Sequence, residues 1–111
     1  MIEVQVQQAV AQAKQAAHAA AQKFFQEKLG GRDQYACGFA WITTYEKGTT
    51  KLVRELKKHG FSKSYSGGYQ LWNPSGFACQ NVDTLEAGAR AAAQVLTEQL
   101  GVQFYAGSRL D

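Results

Sequence analysis

The stretch Tyr65-Ser-Gly-Gly-Tyr-Gln-Leu-Trp-Asn-Pro-Ser-Gly76 concentrates residue types that recognise ligands. Tyr65, Tyr69 and Trp72 offer rigid aromatic area, while Gln70, Asn73 and Ser75 offer donors and acceptors. Gln80 and Asn81 extend the polar content toward a helix start, where free backbone N–H groups favour an anion. Arg109, near the C-terminus, has a planar fork suited to bidentate contact with a carboxylate or phosphate. Together these residues form the candidate binding set. A hairpin with half-buried aromatics, an Asx turn and an Arg109–Asp111 ion pair would explain the same residues without any ligand.

A second constellation is basic. Lys47, Lys51, Arg54, Lys57, Lys58 and Lys63 face Glu55 alone, a window of +5 in a chain of net +3, leaving −2 elsewhere. Lys51, Arg54, Lys57, Lys58 and Lys63 are the candidate anion patch; a solvated helix face is the plainer reading.

Catalytic chemistry has little to stand on. Cys37 and Cys79 lack CxxC or metal-ligand spacing, and only His18 and His59 could join them, so no metal site is expected. Cys37 reads as a small core residue. Cys79 lies near a helix start, where the dipole lowers a thiol pKa, or is an ordinary free thiol. His18 suits packing, and His59 suits a helix C-terminus. Asp83 and Glu86 are explained as helix caps, and Asp33 and Glu46 fall in turns. Gly67-Gly68 lacks the Lys-Ser/Thr of a phosphate loop. No catalytic residue and no cofactor is expected.

These residues must be positioned by a small scaffold. A chain of 111 residues, 45% hydrophobic and 19% charged, fits a globular domain and excludes a disordered tail. Two cysteines exclude a disulfide scaffold, and no apolar run nears the roughly 18 residues of a membrane span. The start, Met-Ile-Glu-Val-Gln, shows no signal-peptide pattern, so a cytoplasmic location is expected.

Residues 2–29 read as one Ala- and Gln-rich helix, with Val6, Val10, Ala13, Ala17, Ala20 and Phe24 forming a methyl-rich seam and Leu29-Gly30-Gly31 ending it. At about 40 Å it should outreach the remaining domain, so part of it is expected to meet another chain. Tyr35 to Tyr45 reads as a central strand with Cys37, Phe39, Trp41, Thr43 and Tyr45 on one face. Ala36, Gly38, Ala40, Ile42 and Thr44 form the small opposite face. Both faces are apolar, so both should be covered, the small one by a close helix. A helix capped by Thr49 or Thr50 runs to His59, burying Leu52, Val53 and Leu56. A hairpin pairs 61–65 with 69–72 around Gly67-Gly68, and Asn73-Pro74 breaks the sheet. Asp83 and Glu86 open the last helix, with Leu85, Ala89, Ala92, Leu96 and Leu100 buried, and 102–106 forms the final strand.

The expected architecture is α+β: an N-terminal helix, residues 1–30, then a ferredoxin-like βαββαβ domain, residues 31–111. First and last strands should be neighbours, with both inner helices on one face. The other face would be covered by the long helix or by a second copy, so a homodimer through the N-terminal helix, the sheet face or both is expected.

Ala36-Cys-Gly-Phe-Ala-Trp41, Tyr69-Gln-Leu-Trp-Asn-Pro-Ser-Gly76, the Glu86-Ala-Gly-Ala region and Ala106-Gly-Ser-Arg-Leu-Asp111 together resemble a family of small tailed-bacteriophage proteins with no assigned activity. The resemblance covers residues 35–111. It implies expression inside an infected bacterium and an accessory role, and brings no catalytic residues.

The leading expectation is therefore a non-enzymatic binding protein that engages a host factor or a small ligand, an anion included, by sequestration or occlusion. A single-stranded nucleic-acid module is the first alternative: Phe39, Trp41 and Tyr45 have the spacing to stack bases, with Lys57, Lys58 and Lys63 for phosphates. Against it, the RRM signature is absent and the long helix is a candidate to cover that face. A small enzyme using Cys79, Ser75 or a dimer-interface site is the second alternative.

Overall fold

The computed structural model describes residues 1–33 and 36–111. Tyr35, placed on sequence at the start of the central strand, lies outside the described residues. The elements are α1 (Ile2–Leu29), β1 (Gly38–Thr44), α2 (Lys51–Lys58), β2 (Ser62–Lys63), β3 (Tyr69–Trp72), α3 (Val82–Leu100) and β4 (Phe104–Leu110). The fold is α+β: a long N-terminal helix and a four-stranded antiparallel sheet in the order β2-β3-β1-β4. Among the described residues no helix is long and apolar enough to cross a membrane.

The small face of β1 builds the core. Ala40, Ile42 and Thr44 are buried there with Leu56 of α2, Phe61, Leu85, Ala89 and Leu96 of α3, and Phe104. α1 does not cross to the other side of the sheet. It packs along α3 and touches α2, in the helical layer. Its seam is absorbed within the chain: Val6, Ala9, Val10, Ala13, Ala17 and Ala21 are buried. The stripe thus turns through Ala21 where the sequence suggested Ala20, as a straight 3.6-residue helix requires. The crossing is tight because α3 offers Gly88 there. A Cβ at Gly88 would stand 3.0 Å from the Ala17 carbonyl oxygen and 2.8 Å from the Ser75 Cβ. The seam expected to meet another chain is therefore buried against α3 of its own chain. The molecule measures 42 × 27 × 18 Å, and the 28-residue α1 accounts for its longest dimension.

Several boundaries shift for physical reasons. α1 ends at Gly30 in the left-handed conformation, φ 63°. Thr50 caps α2 by accepting from the Val53 N–H. α3 begins earlier than expected: its cap is Asn81, whose Oδ1 accepts from the Thr84 N–H at 2.8 Å and from the Thr84 hydroxyl at 2.9 Å. Asp83 sits in the first turn, and Glu86 turns instead to Arg90, at 2.7 Å, and to the Ser108 hydroxyl. β2 is only two residues, because Phe61 is buried against Phe104 and Tyr65 swings into the turn, fully exposed. β4 runs from Phe104 to Leu110 along the whole of β1, where the sequence placed the final strand at 102–106.

Candidate functional site

Within the chain the bulky face of β1 is uncovered, because α1, one of the two covers expected for it, packs on α3 and α2 instead. Side chains alternate along a strand, and the register sets which ones share this face. Trp41 pairs with Trp72 of β3 and with Gly107 of β4, Thr43 with Gln70 and Tyr105, and Phe39 with Arg109. Phe39 is 39% exposed, Trp72 46%, Tyr105 51% and Tyr45 64%, while Trp41 is half-buried.

The rings form a connected surface. Trp41 and Trp72 lie 5.0 Å apart between centroids, Phe39 meets Trp72 edge-on at 5.9 Å, and Tyr45 and Tyr105 stand 5.8 Å apart. Gly107 makes this possible: a Cβ there would come within 2.7 Å of the Trp41 indole. The Arg109 guanidinium sits 5.6 Å from the Phe39 ring centre and 5.8 Å from that of Trp72. It therefore rests on the aromatics. Among the described residues the ion pairs are Lys58–Glu55 and Arg90–Glu86, so the alternative account of Arg109, a pair with Asp111, is not formed. Trp72 donates its indole N–H to Gln70 Oε1 at 3.1 Å, which orients both. Beside them a groove of about 480 Å³ runs toward the hairpin, lined by Trp41, Trp72, Gln70, Arg109, Lys63 and Tyr65 with Ser62, Ser64 and Ser66. Its lining holds two cations and no carboxylate.

The candidate binding set divides. Tyr65, Gln70, Trp72 and Arg109 meet in this groove. Tyr69 points to the helical side, where Lys57 lies 5.0 Å from its ring centre. Asn73 takes a positive φ of 44° and accepts from the Ser75 hydroxyl at 2.9 Å, while Ser75 is buried and receives the Phe77 N–H. The Ser75 carbonyl also accepts from His18 Nδ1, and Phe77 packs on His18 and Phe25. Asn81 is buried as the α3 cap. Gln80 lies on the adjoining loop, its backbone N–H donating to Asp33 and its side chain accepting from Cys37. Asn73, Ser75 and Asn81 therefore tie loop to helices, by satisfied local hydrogen bonds.

The basic patch is divided as well. Lys51, Arg54 and Lys58 lie beside Ile2, Glu3 and Glu55, in the helical layer. Lys63 alone of the set borders the aromatic groove. Cys37 is exposed, on the parity of the open face, and not a core residue. Burial pushes the Cys79 thiol up, aided by the Asp33 charge, against the lowering hydrogen bonds from Asn81 and Thr84. Desolvation outweighs the helix start, so an activated thiolate is not supported. Among the described residues no three His, Cys, Asp or Glu side chains converge as metal ligands.

Tyr105, Gly107 and Ser62 were not singled out from sequence, and Phe39, Trp41 and Tyr45 entered only through the nucleic-acid alternative. Tyr105, Gly107 and Arg109 alternate at i, i+2 and i+4, which is the signal that a longer last strand would have exposed. No protein-family model, no curated protein and no solved structure matches this chain.

Proposed function

We propose that this chain is a non-enzymatic binding protein that takes a single-stranded nucleic acid on its open sheet face. One observation carries the reading. The uncovered face gathers Phe39, Trp41, Tyr45, Trp72 and Tyr105 beside Arg109, with Lys63 at the groove's border and no carboxylate in its lining. Every base has a π-face, so stacking on such rings is worth about 1–3 kcal/mol per base whatever the sequence. Arg109 and Lys63 would meet phosphates. A ferredoxin-like arrangement belongs to the same proposal, supported by neighbouring first and last strands and by the order β2-β3-β1-β4. An accessory role within a phage-infected bacterium is proposed on the sequence resemblance alone.

The second reading, sequestration of a host protein or small ligand, is supported by the same exposed aromatic area, since such patches also mark protein contacts. Fluorescence anisotropy of a labelled single-stranded oligonucleotide, titrated across a salt series, separates them. Binding should weaken with salt at a logarithmic slope of about −0.7 per phosphate neutralised. Phe39→Ala with Trp72→Ala should lower affinity by about tenfold or more while circular dichroism stays unchanged. No binding at low salt by folded protein would end the nucleic-acid reading and leave sequestration standing.

A further inference from the structure

Stacking on the open face is indifferent to base identity, so selection among bases falls to the polar groups that meet their edges. Gln70 is placed for that. It lies two residues from Trp72 on β3, about 7 Å along the strand and on the same side of the sheet, with Ser62 of β2 and Thr43 of β1 in register on either flank. Gln70 and Trp72 both line the groove beside Trp41.

The hydrogen bond between these two side chains fixes the polarity of the amide. An indole N–H can only donate, so the atom of Gln70 that faces Trp72 Nε1, at 3.1 Å, must be the carbonyl oxygen. The amide NH2 is therefore turned away from that nitrogen, and among the described residues no group accepts from it. The other lining groups of fixed polarity, the Trp41 indole, Lys63 and Arg109, also only donate. The serine and tyrosine hydroxyls serve in either role, and those of Ser64 and Ser66 bond each other. The groove thus offers donors of fixed polarity, while its amide acceptor is engaged.

We propose, on the nucleic-acid reading of this face, that Gln70 makes it select keto bases over amino bases: uracil, thymine and guanine over cytosine and adenine. A base laid on the Trp41–Trp72 pair turns an edge toward the Gln70 amide. There a keto oxygen accepts from the amide NH2, whereas the exocyclic amino group of cytosine or adenine sets donor against donor.

Fluorescence anisotropy with four labelled hexadeoxynucleotides, of uracil, cytosine, hypoxanthine and adenine, tests this. Uracil against cytosine, and hypoxanthine against adenine, exchange a keto for an amino edge on the same ring system, so stacking cancels within each pair. The keto member of each pair should bind about threefold to tenfold more tightly, the worth of one hydrogen bond. Gln70→Leu should bring both ratios within about twofold. Gln70→Glu keeps an acceptor for the Trp72 indole and turns a second acceptor outward, so both ratios should invert even as its charge weakens all four complexes. Arg109→Ala should weaken all four and leave the ratios standing. Should Gln70→Leu not fold, Gln70→Glu decides alone. Equal binding within either wild-type pair overturns the proposal while the nucleic-acid reading stands. So do ratios that persist in a folded Gln70 variant, or that vanish only in Arg109→Ala, which makes the guanidinium the reader. No binding of any hexamer at low salt ends the nucleic-acid reading and the proposal with it.

Discussion

Arg109 shows how a surface charge can be held without a partner acid. Its guanidinium rests over Phe39 and Trp72 while the residue stays exposed. Gly107, two residues earlier, has no side chain to keep the Trp41 indole off the sheet. The two thiols differ by the same local logic. Cys37 is exposed, its Sγ–H donating to Gln80, whereas Cys79 is partly buried with its thiol pushed up by desolvation. At pH 8 Cys37 should be alkylated first by iodoacetamide, and Cys79 should gain rate as pH rises beyond the ordinary thiol range. Mass spectrometry of timed samples reads both sites. Faster labelling of Cys79 would show that burial does not control its ionisation.

At the level of elements, the loop before α3 is a strut. Asn81 caps the helix, Ser75 meets His18, and Phe77 packs between His18 and Phe25 of α1. The polar residues that looked like a binding loop are thus spent on joining two helices and the start of β1, where Cys37 bridges to Asn81. Asn81→Ala removes two hydrogen bonds at a buried cap and should destabilise the fold by about 1–2 kcal/mol. Asp83→Ala, on the residue that sequence favoured as the cap, should cost no more than a few tenths of that range, about the value of a first-turn charge. Urea unfolding of the pair measures the contrast, and equal losses would contradict the cap assignment.

Across the whole molecule, charge and aromatic area lie on different layers. Lys51, Arg54 and Lys58 belong to the helical side, together with Glu3 and Glu55, while the rings occupy the opposite face of the sheet. The densest run of cations is therefore not where the exposed rings are. Lys57→Glu with Lys58→Glu should change oligonucleotide affinity only through the long-range field, by less than about threefold at 0.15 M salt, where the Debye length is about 8 Å. Arg109→Ala should lower it by about tenfold, since a charge-assisted contact and a ring support are lost together. Loss of binding in the double lysine variant with Arg109→Ala unaffected would move the site to α2.

The sequence by itself determined the elements whose signals are local. The alanine run, the capping threonine, the glycines after helices and the alternation of β1 specify helix, cap, stop and strand within a few residues of chain, and α+β follows from their order. It also determined which side chains of β1 share a face, because that periodicity is a property of any strand. Only the tertiary structure decided what covers each face. The methyl seam of α1 fits a flat partner, and both the small side of β1 and the Ala/Gly stripe of α3 are flat. Closer packing at Gly88 settled the choice for α3, which left the aromatic face open. Tertiary pairing likewise drew residues 107–110 into the sheet, since β1 offered seven positions to a segment whose own glycine and serine suggest a loop. Arg109 reaches Phe39 and Trp72 through that pairing alone, across a sequence separation that no local pattern records.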